Sequence, residues 1–171
     1  FSNIVMTTAP KWGQGLEWPI VVDIEKRTDE SRLSHMRDVA FNDITIYSRG
    51  RIMASGTPDS PIDGLTFRNV TLRFTGYEQI KGAKKMRGGA NTVAENMPDY
   101  AAQPAAMIFA FVHGLTVDSV STTWPTMPEP PARSVIYGDH LDDVRLTRLN
   151  GGASNPTAKP VVIENSTHVT Q

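Results

Sequence analysis

Residues 62–72 read Ile62-Asp-Gly-Leu-Thr-Phe-Arg-Asn-Val-Thr-Leu72, and this stretch decides the fold because three other segments align with it without gaps. All four share the pattern apolar, any, Asp or Gly, apolar, any, apolar, any, small polar, apolar. The other copies are Met36–Ile46, Val112–Thr122 and Leu141–Gly151, and Phe1–Met6 matches the back half of a fifth. Alternation with a period of two predicts that each copy is a β-strand with one buried face.

A second set of short segments falls between these copies, and each is a continuous apolar run. Such runs are typical of parallel strands that are buried on both faces. They are Pro19–Ile24, Arg51–Ala54, Ala106–Phe111, Ser134–Tyr137 and Pro160–Ile163. The first set recurs at intervals of about 40, 26, 50 and 29 residues, and the two long intervals carry insertions at about 26–34 and 73–103.

The two alternating sets of strands predict an all-β chain folded as a right-handed parallel β-helix of about five coils. Residues 1–171 would form a single segment of a longer solenoid, with a long inserted loop at about 73–104. An antiparallel sandwich is the rival all-β fold, but the tight turn dipeptides that it needs between strands are scarce here. One repeated position holds a small polar residue that could bond backbone groups at a bend, and its members are Asn3, Asp43, Asn69 and Ser119.

Composition excludes several functional classes. The 171 residues contain 17 Lys and Arg against 18 Asp and Glu, a balance that argues against a nucleic-acid binder and a polybasic membrane anchor. No apolar run approaches the roughly 18 residues of a membrane-spanning helix. The absence of cysteine excludes disulfides, thiolate zinc sites and cysteine nucleophiles. The sequence begins at Phe1 inside a predicted strand, so we expect upstream coils or another chain to cover that end.

The order of these motifs resembles a known family. The runs 1–6, 18–23, 39–46 and 60–72 are similar to the C-terminal half of polygalacturonase-type enzymes, glycoside hydrolase family 28. The resemblance implies a β-helix outside the cytoplasm, extracellular or periplasmic, that acts on an acidic, pectin-type polysaccharide. Family members hydrolyse it with inversion, using paired carboxylates to protonate the leaving oxygen and to activate water.

The motifs that carry this chemistry in the family are absent from the chain. They are Asn-Thr-Asp, Asp-Asp, Gly-His-Gly and Arg-Ile-Lys, and the family places all four upstream of the strand that begins here at Phe1. The pair Asp142-Asp143 occupies a repeat position where other copies have Arg37-Asp38 and Asp63-Gly64, so we interpret it as a turn. We therefore assign no catalytic residue, and we expect the chain to form one wall of a substrate groove.

Four residues are candidate sugar contacts: Trp12, Lys26, Arg27 and Arg51. Lys26 stands where the resemblance implies a substrate-contacting Tyr, and Arg27 follows it at a predicted coil corner. Arg51 precedes the next apolar strand, and cations on neighbouring coils would suit a polyanion. These cations could equally pair with Asp23 or solvate a strand end. Trp12 lies in a Gly-containing loop, where an aromatic face could stack on a sugar ring.

No cofactor or metal is expected, because the four histidines show no established ligand spacing. Two other functions remain open. A non-catalytic β-helical binding or structural module would come from a parent whose upstream coils lack paired acids. A β-helix lyase is the weaker alternative, since it needs clustered carboxylates for calcium and the acids here are scattered.

Overall fold

The computed structural model describes residues 1–9, 18–24, 26, 28, 30–80 and 100–171. These residues form an all-β structure with one three-residue 3₁₀ helix, Tyr100–Ala102, and no α-helix. Nine strands follow in chain order: β1 Ser2–Thr7, β2 Ile20–Asp23, β3 Met36–Ser48, β4 Ile52–Ser55, β5 Ile62–Phe74, β6 Ala105–Thr123, β7 Ser134–Thr147, β8 Val161–Glu164 and β9 Thr167–Thr170.

All the strand pairs are parallel, and together they form one curled sheet. Its strands fall into two ladders. The long ladder contains β1, β3, β5, residues 112–123 of β6, residues 141–147 of β7, and β9. The short ladder contains β2, β4, residues 105–110 of β6, residues 134–139 of β7, and β8. Along the sequence, the strands therefore alternate between the short ladder and the long ladder.

The register of the long ladder confirms the gapless alignment of the repeats. Met36 pairs with Ile62, Ile62 with Val112, and Val112 with Leu141. A shift of one residue would turn every apolar side chain of a strand outward, so burial of one face fixes this register.

A row of left-handed residues confirms the predicted bend position. Asn3, Asp43, Asn69 and Ser119 all have φ between 52° and 56°. Asparagine and aspartate tolerate this conformation better than most residues do. The side chains also link neighbouring strands, because Asn69 Nδ2 donates to Asp43 Oδ1 at 2.6 Å. The sequence predicted bonds to backbone groups here, whereas this bond joins two side chains.

The core lies between the two ladders and consists of their inward apolar side chains. Phenylalanines stack along it: Phe1 on Phe41 at 5.1 Å between ring centroids, and Phe41 on Phe67 at 4.8 Å. A second apolar cluster, which includes Met53, Ile108 and Tyr137, covers the other face of the short ladder. The central strands of the short ladder, which are β4, residues 105–110 of β6 and residues 134–139 of β7, are therefore buried on both faces, and this explains their continuous apolar runs.

Three features differ from the sequence prediction. Two pairs of predicted strands are fused into β6 and β7, because a left-handed residue bends each chain without interrupting the pairing, Phe111 at φ 50° and His140 at φ 51°. β5 extends to Phe74, into the start of the predicted loop. β9 was not predicted, since its sequence Thr-His-Val-Thr has little apolar signal. No helix in the described ranges is long and apolar enough to cross a membrane.

Gly151, which follows β7, lies very close to the backbone of β6, and its neighbour Gly152 provides a control. A Cβ at Gly151, where φ is 100°, would lie 2.3 Å from the Thr122 carbonyl oxygen, whereas a Cβ at Gly152 would meet nothing within 4 Å. We expect Gly151→Ala to lower the free energy of unfolding by about 2–4 kcal/mol. Gly152→Ala, measured by the same urea denaturation, should change it by less than about 1 kcal/mol. Equal effects of the two changes would contradict the close contact between Gly151 and β6.

Candidate functional site

The structure places only two of the four predicted sugar contacts. Trp12 and Arg27 lie outside the described residues. Lys26 is partly exposed and follows β2, whose last hydrogen bond to β4 runs from Ile24 N–H to the Ser55 carbonyl at 3.0 Å. Lys26 therefore remains a candidate contact at that end of the short ladder.

Arg51 requires a correction, because its side chain is fully buried and is not available to a polysaccharide. The guanidinium forms an ion pair with the buried carboxylate of Glu78. It also donates to the carbonyl oxygens of Ala101, at 2.8 Å, and Gln103, and it lies over the Trp18 ring at 4.7 Å. The sequence correctly predicted that Arg51 precedes an apolar strand. It did not show that residues 78 and 101–103 fold back and contact the Arg51 side chain.

Lys26 and Arg51 also lie at opposite ends of the short ladder. Ile20, at the start of β2, pairs with Ile52, so Arg51 lies level with Pro19. Lys26 follows the other end of β2, several residues further along the strand direction. At about 3.3 Å per residue the two cations are separated by the length of the strand. They therefore do not lie side by side on neighbouring coils, as the sequence analysis expected.

The outward face of the long ladder is the most strongly polar surface that the strands create. Its inward positions hold the core, and the alternate positions carry charged, hydroxyl and amide side chains. Four exposed arginines lie on these strands, namely Arg37, Arg68, Arg73 and Arg145, and a fifth, Arg148, directly follows β7. We call this surface the arginine face. The repeat contained the signal for four of them, since Arg37, Arg68 and Arg145 occupy "any" positions of the pattern and Arg148 occupies the small polar position, whereas Arg73 lies beyond the pattern.

Asp118 organises the centre of the arginine face. Its carboxylate accepts hydrogen bonds from the Thr147 hydroxyl at 2.6 Å and from Arg148 Nη2 at 2.5 Å, and Arg68 Nε lies 3.7 Å away. The bond from Thr147, together with the neighbouring guanidiniums, lowers the pKa of Asp118. Arg148 Nε also donates to Ser119 Oγ at 2.8 Å. Two arginines are thus oriented by one carboxylate while most of each side chain stays exposed.

Histidine and aspartate pairs lie along one edge of the same face. His113 Nδ1 lies 3.3 Å from Asp63 Oδ1, and His168 Nδ1 lies 2.7 Å from Asp142 Oδ1. Hydrogen bonds from His168 and from Thr167 lower the pKa of Asp142 to about 2. The same bond to Asp142 raises the pKa of His168. Asp142, which the sequence predicted to lie in a turn, therefore joins β7 to β9 through its side chain.

A second polar cluster lies where the short ladder meets the long one. Asp139 is buried, and its carboxylate accepts bonds from Tyr100 OH at 2.6 Å and Asn165 Nδ2 at 2.8 Å. His140 Nδ1 lies 3.0 Å from Asp139 Oδ1, and the His140 ring stacks on Phe111 at 4.7 Å. Burial tends to raise the pKa of Asp139, but the bonds from Tyr100, Asn165 and His140 outweigh it, so that pKa lies below its usual value.

These carboxylates are suited to orienting other groups. A general acid needs a pKa near the working pH, and enzymes reach it by raising that of a carboxyl. Asp118, Asp139 and Asp142 have pKa values shifted in the opposite direction, so they stay ionised and accept hydrogen bonds. Within the part of the chain that the structure describes, no three His, Asp or Glu side chains are grouped so that they could hold a metal ion.

Replacing Arg51 tests whether its role is structural. Arg51→Met would leave the Glu78 carboxylate buried without this partner, so we expect a loss of about 3 kcal/mol or more in the free energy of unfolding. The matched control is Arg148→Met, which removes a guanidinium that is 69% exposed and should change stability by less than about 1 kcal/mol. Denaturant titration of the two variants checks the difference. Comparable losses would contradict the structural role of Arg51.

Asp139 makes stability depend on pH in a defined direction. Because its pKa is lower in the folded chain, its contribution is present above the unfolded value of about 3.9 and is lost as the pH falls through the folded value. We expect Asp139→Asn to cost about 2 kcal/mol at pH 7 and to flatten the loss of stability below about pH 4. Asp142→Asn, at an exposed pair, should cost less at pH 7. If Asp139→Asn has the same free energy of unfolding as the wild type at every pH between 3 and 7, this role is contradicted.

Comparison with known proteins does not assign the chain. No protein-family model, no curated protein and no solved structure matches it. The two ladders and the side chains that they present are therefore the basis for a functional assignment.

Proposed function

We propose that the chain is a segment of a right-handed parallel β-helix in which each passage from the short ladder to the long ladder is one coil. Five such passages would give the about five coils that the repeats predict. The support is the constant register along both ladders, with parallel pairing throughout. The left-handed residues, which recur at equivalent positions, would mark the bends of successive coils.

The proposed function is to bind an acidic polysaccharide on the arginine face, as one wall of the substrate groove of a polygalacturonase-like glycoside hydrolase. The observation that carries this proposal is the set of exposed arginines on a rigid parallel ladder. Guanidinium groups bind carboxylates through paired N–H donors, and a uronate offers one carboxylate on each sugar. Arg68 and Arg148 both lie beside the Asp118 carboxylate, so a uronate bound at this point would meet two guanidiniums.

Neutral groups between the arginines suit the hydroxyls of the same polymer. Thr45, Thr71 and Ser121 are paired across three neighbouring strands and are partly exposed. Arg73 lies over the Tyr47 ring at 5.8 Å, which presents an aromatic surface beside a cation. Hydroxyl and aromatic groups next to guanidiniums are the types of side chain that recognise a uronic-acid sugar.

The ionised carboxylates favour binding over cleavage by this segment. Inverting hydrolysis needs one carboxylic acid to protonate the leaving oxygen, and the aspartates with shifted pKa values in the described part are all held in the charged form. We therefore propose that any hydrolysis depends on coils outside this segment. The non-catalytic binding module remains the second candidate, because the same observation fits it equally.

The partner of the β1 edge is part of the same proposal. Phe1 and Val5 on this strand are 75% and 76% exposed, and an unpaired strand edge tends to recruit another strand. We propose that a further coil of the same protein, or another chain, pairs with β1. An exterior location, extracellular or periplasmic, follows from a polysaccharide substrate of this kind.

A double variant tests the arginine face directly. Arg73→Ala with Arg145→Ala removes two exposed guanidiniums, and we expect it to weaken binding of an oligogalacturonate at least about tenfold. The matched control is Lys159→Ala, which removes an exposed cation outside both ladders and should leave the Kd within about twofold. Calorimetric titration at low and high salt checks both, and the wild-type Kd should rise with salt.

Two results would decide against the proposal or between its two forms. Unchanged affinity in the double variant, or equal affinity for a neutral oligosaccharide, would reject the arginine face as the binding surface. Catalytic motifs in the coils preceding this segment, Asn-Thr-Asp, Asp-Asp and Arg-Ile-Lys, would identify the parent as a hydrolase. Coils without paired acids would identify a binding module.

A further inference from the structure

Buried hydrogen-bonding groups without partners are concentrated around Glu78. In the described residues five buried side-chain atoms lack a hydrogen-bond partner, and three of them are nitrogens of this region: Trp18 Nε1, Arg133 Nε and Arg133 Nη1. The indole and guanidinium nitrogens can only donate hydrogen bonds. Native proteins leave few such groups unsatisfied, so a concentration of unpaired donors points to a missing acceptor.

Arg133 is the cation that lacks a counter-charge. It is only 2% exposed, and no carboxylate of the described residues lies within ion-pair distance of it. Its Nη2 donates to the backbone carbonyl of Glu78, and its guanidinium lies over the Tyr77 ring at 5.3 Å. The Glu78 carboxylate itself pairs with Arg51. An unpaired buried guanidinium is costly, because the interior solvates charge far less well than water does.

The electrostatic surroundings increase this cost. Burial, followed by the neighbouring Arg51 guanidinium, lowers the pKa of Arg133, and the opposing effects of Glu78 and Tyr77 do not offset them. An arginine nevertheless keeps its proton in proteins. Ordered water could accept hydrogen bonds from the free N–H groups, but it would leave the positive charge in place. A negatively charged acceptor satisfies both requirements.

We infer that one small oxyanion, a carboxylate, phosphate or sulfate group, binds beside Arg133 as a structural ligand. It would accept from the guanidinium N–H groups of Arg133 that have no partner, those of Nε and Nη1. Arg133 immediately precedes β7, and Tyr77 follows the end of β5. Because the Arg133 guanidinium lies over the Tyr77 ring, the bound anion would stabilise the contact between these two segments.

Thermal unfolding in different salts tests this inference on the full chain. After exchange into chloride buffer, the protein is melted with added sulfate, phosphate, acetate or further chloride at equal ionic strength. We expect a saturable rise in Tm of about 5–10 °C at 100 times the Kd of the oxyanion, and no such rise in chloride. Comparing the rise in Tm with sulfate or phosphate to the rise with acetate shows whether a tetrahedral or a planar group is preferred.

Variants locate the effect. Arg133→Met should abolish the oxyanion-dependent rise, and Arg133→Lys should weaken the affinity at least about tenfold because the planar fork is lost. Arg32→Met removes an exposed arginine that lies outside the strands and the arginine face, and it should keep the full rise. If Arg133→Met does not fold, a crystal of the wild type soaked in selenate should show an anomalous peak beside Arg133. No saturable rise, a rise that survives in Arg133→Met, or selenate only at exposed arginines would overturn the inference.

Discussion

Parallel pairing in one constant register is the constraint on which the rest of this structure depends. Each long-ladder strand places its apolar residues at the same positions as its neighbour, as in the series Met36, Ile62, Val112 and Leu141. Because side chains alternate between the faces of a strand, this register also lines up the outward residues. The core and the arginine face are therefore two consequences of the same pairing.

The left-handed residues make this pairing compatible with a curled sheet. Asn3, Asp43 and Asn69 adopt the conformation at low cost, whereas Phe111 and His140 adopt it with bulky side chains. At Phe111 and His140 the ladder continues through the bend, so that single strands serve both ladders. Asp139 stabilises this bend by bonding Tyr100, Asn165 and His140. A polar cluster thus supports a bend at which two bulky residues take the left-handed conformation.

The sequence predicted the repeated and local features of the chain well, and the non-local ones poorly. The strand register and the row of left-handed residues at the bends follow from patterns within each copy. The position of a residue such as Asn69 at a bend could therefore be predicted from its spacing alone. The environment of Arg51 could not, because Glu78 and Ala101 reach it from segments 27 and 50 residues away. Arg68 and Arg148 were overlooked because their significance depends on which strands lie side by side. Trp12 and Arg27 stay predictions.

The chain contains two kinds of arginine, those that stabilise the fold and those that are proposed to bind a polyanion. Resonances of the arginine Nε–H groups, followed by NMR during titration with an oligogalacturonate, measure this difference directly. Shifts are expected at exposed arginines of the arginine face, among Arg37, Arg68, Arg73, Arg145 and Arg148, with no change at the buried Arg51 and Arg133. Absence of shifts on the arginine face, or shifts confined to the short ladder, would contradict this expectation.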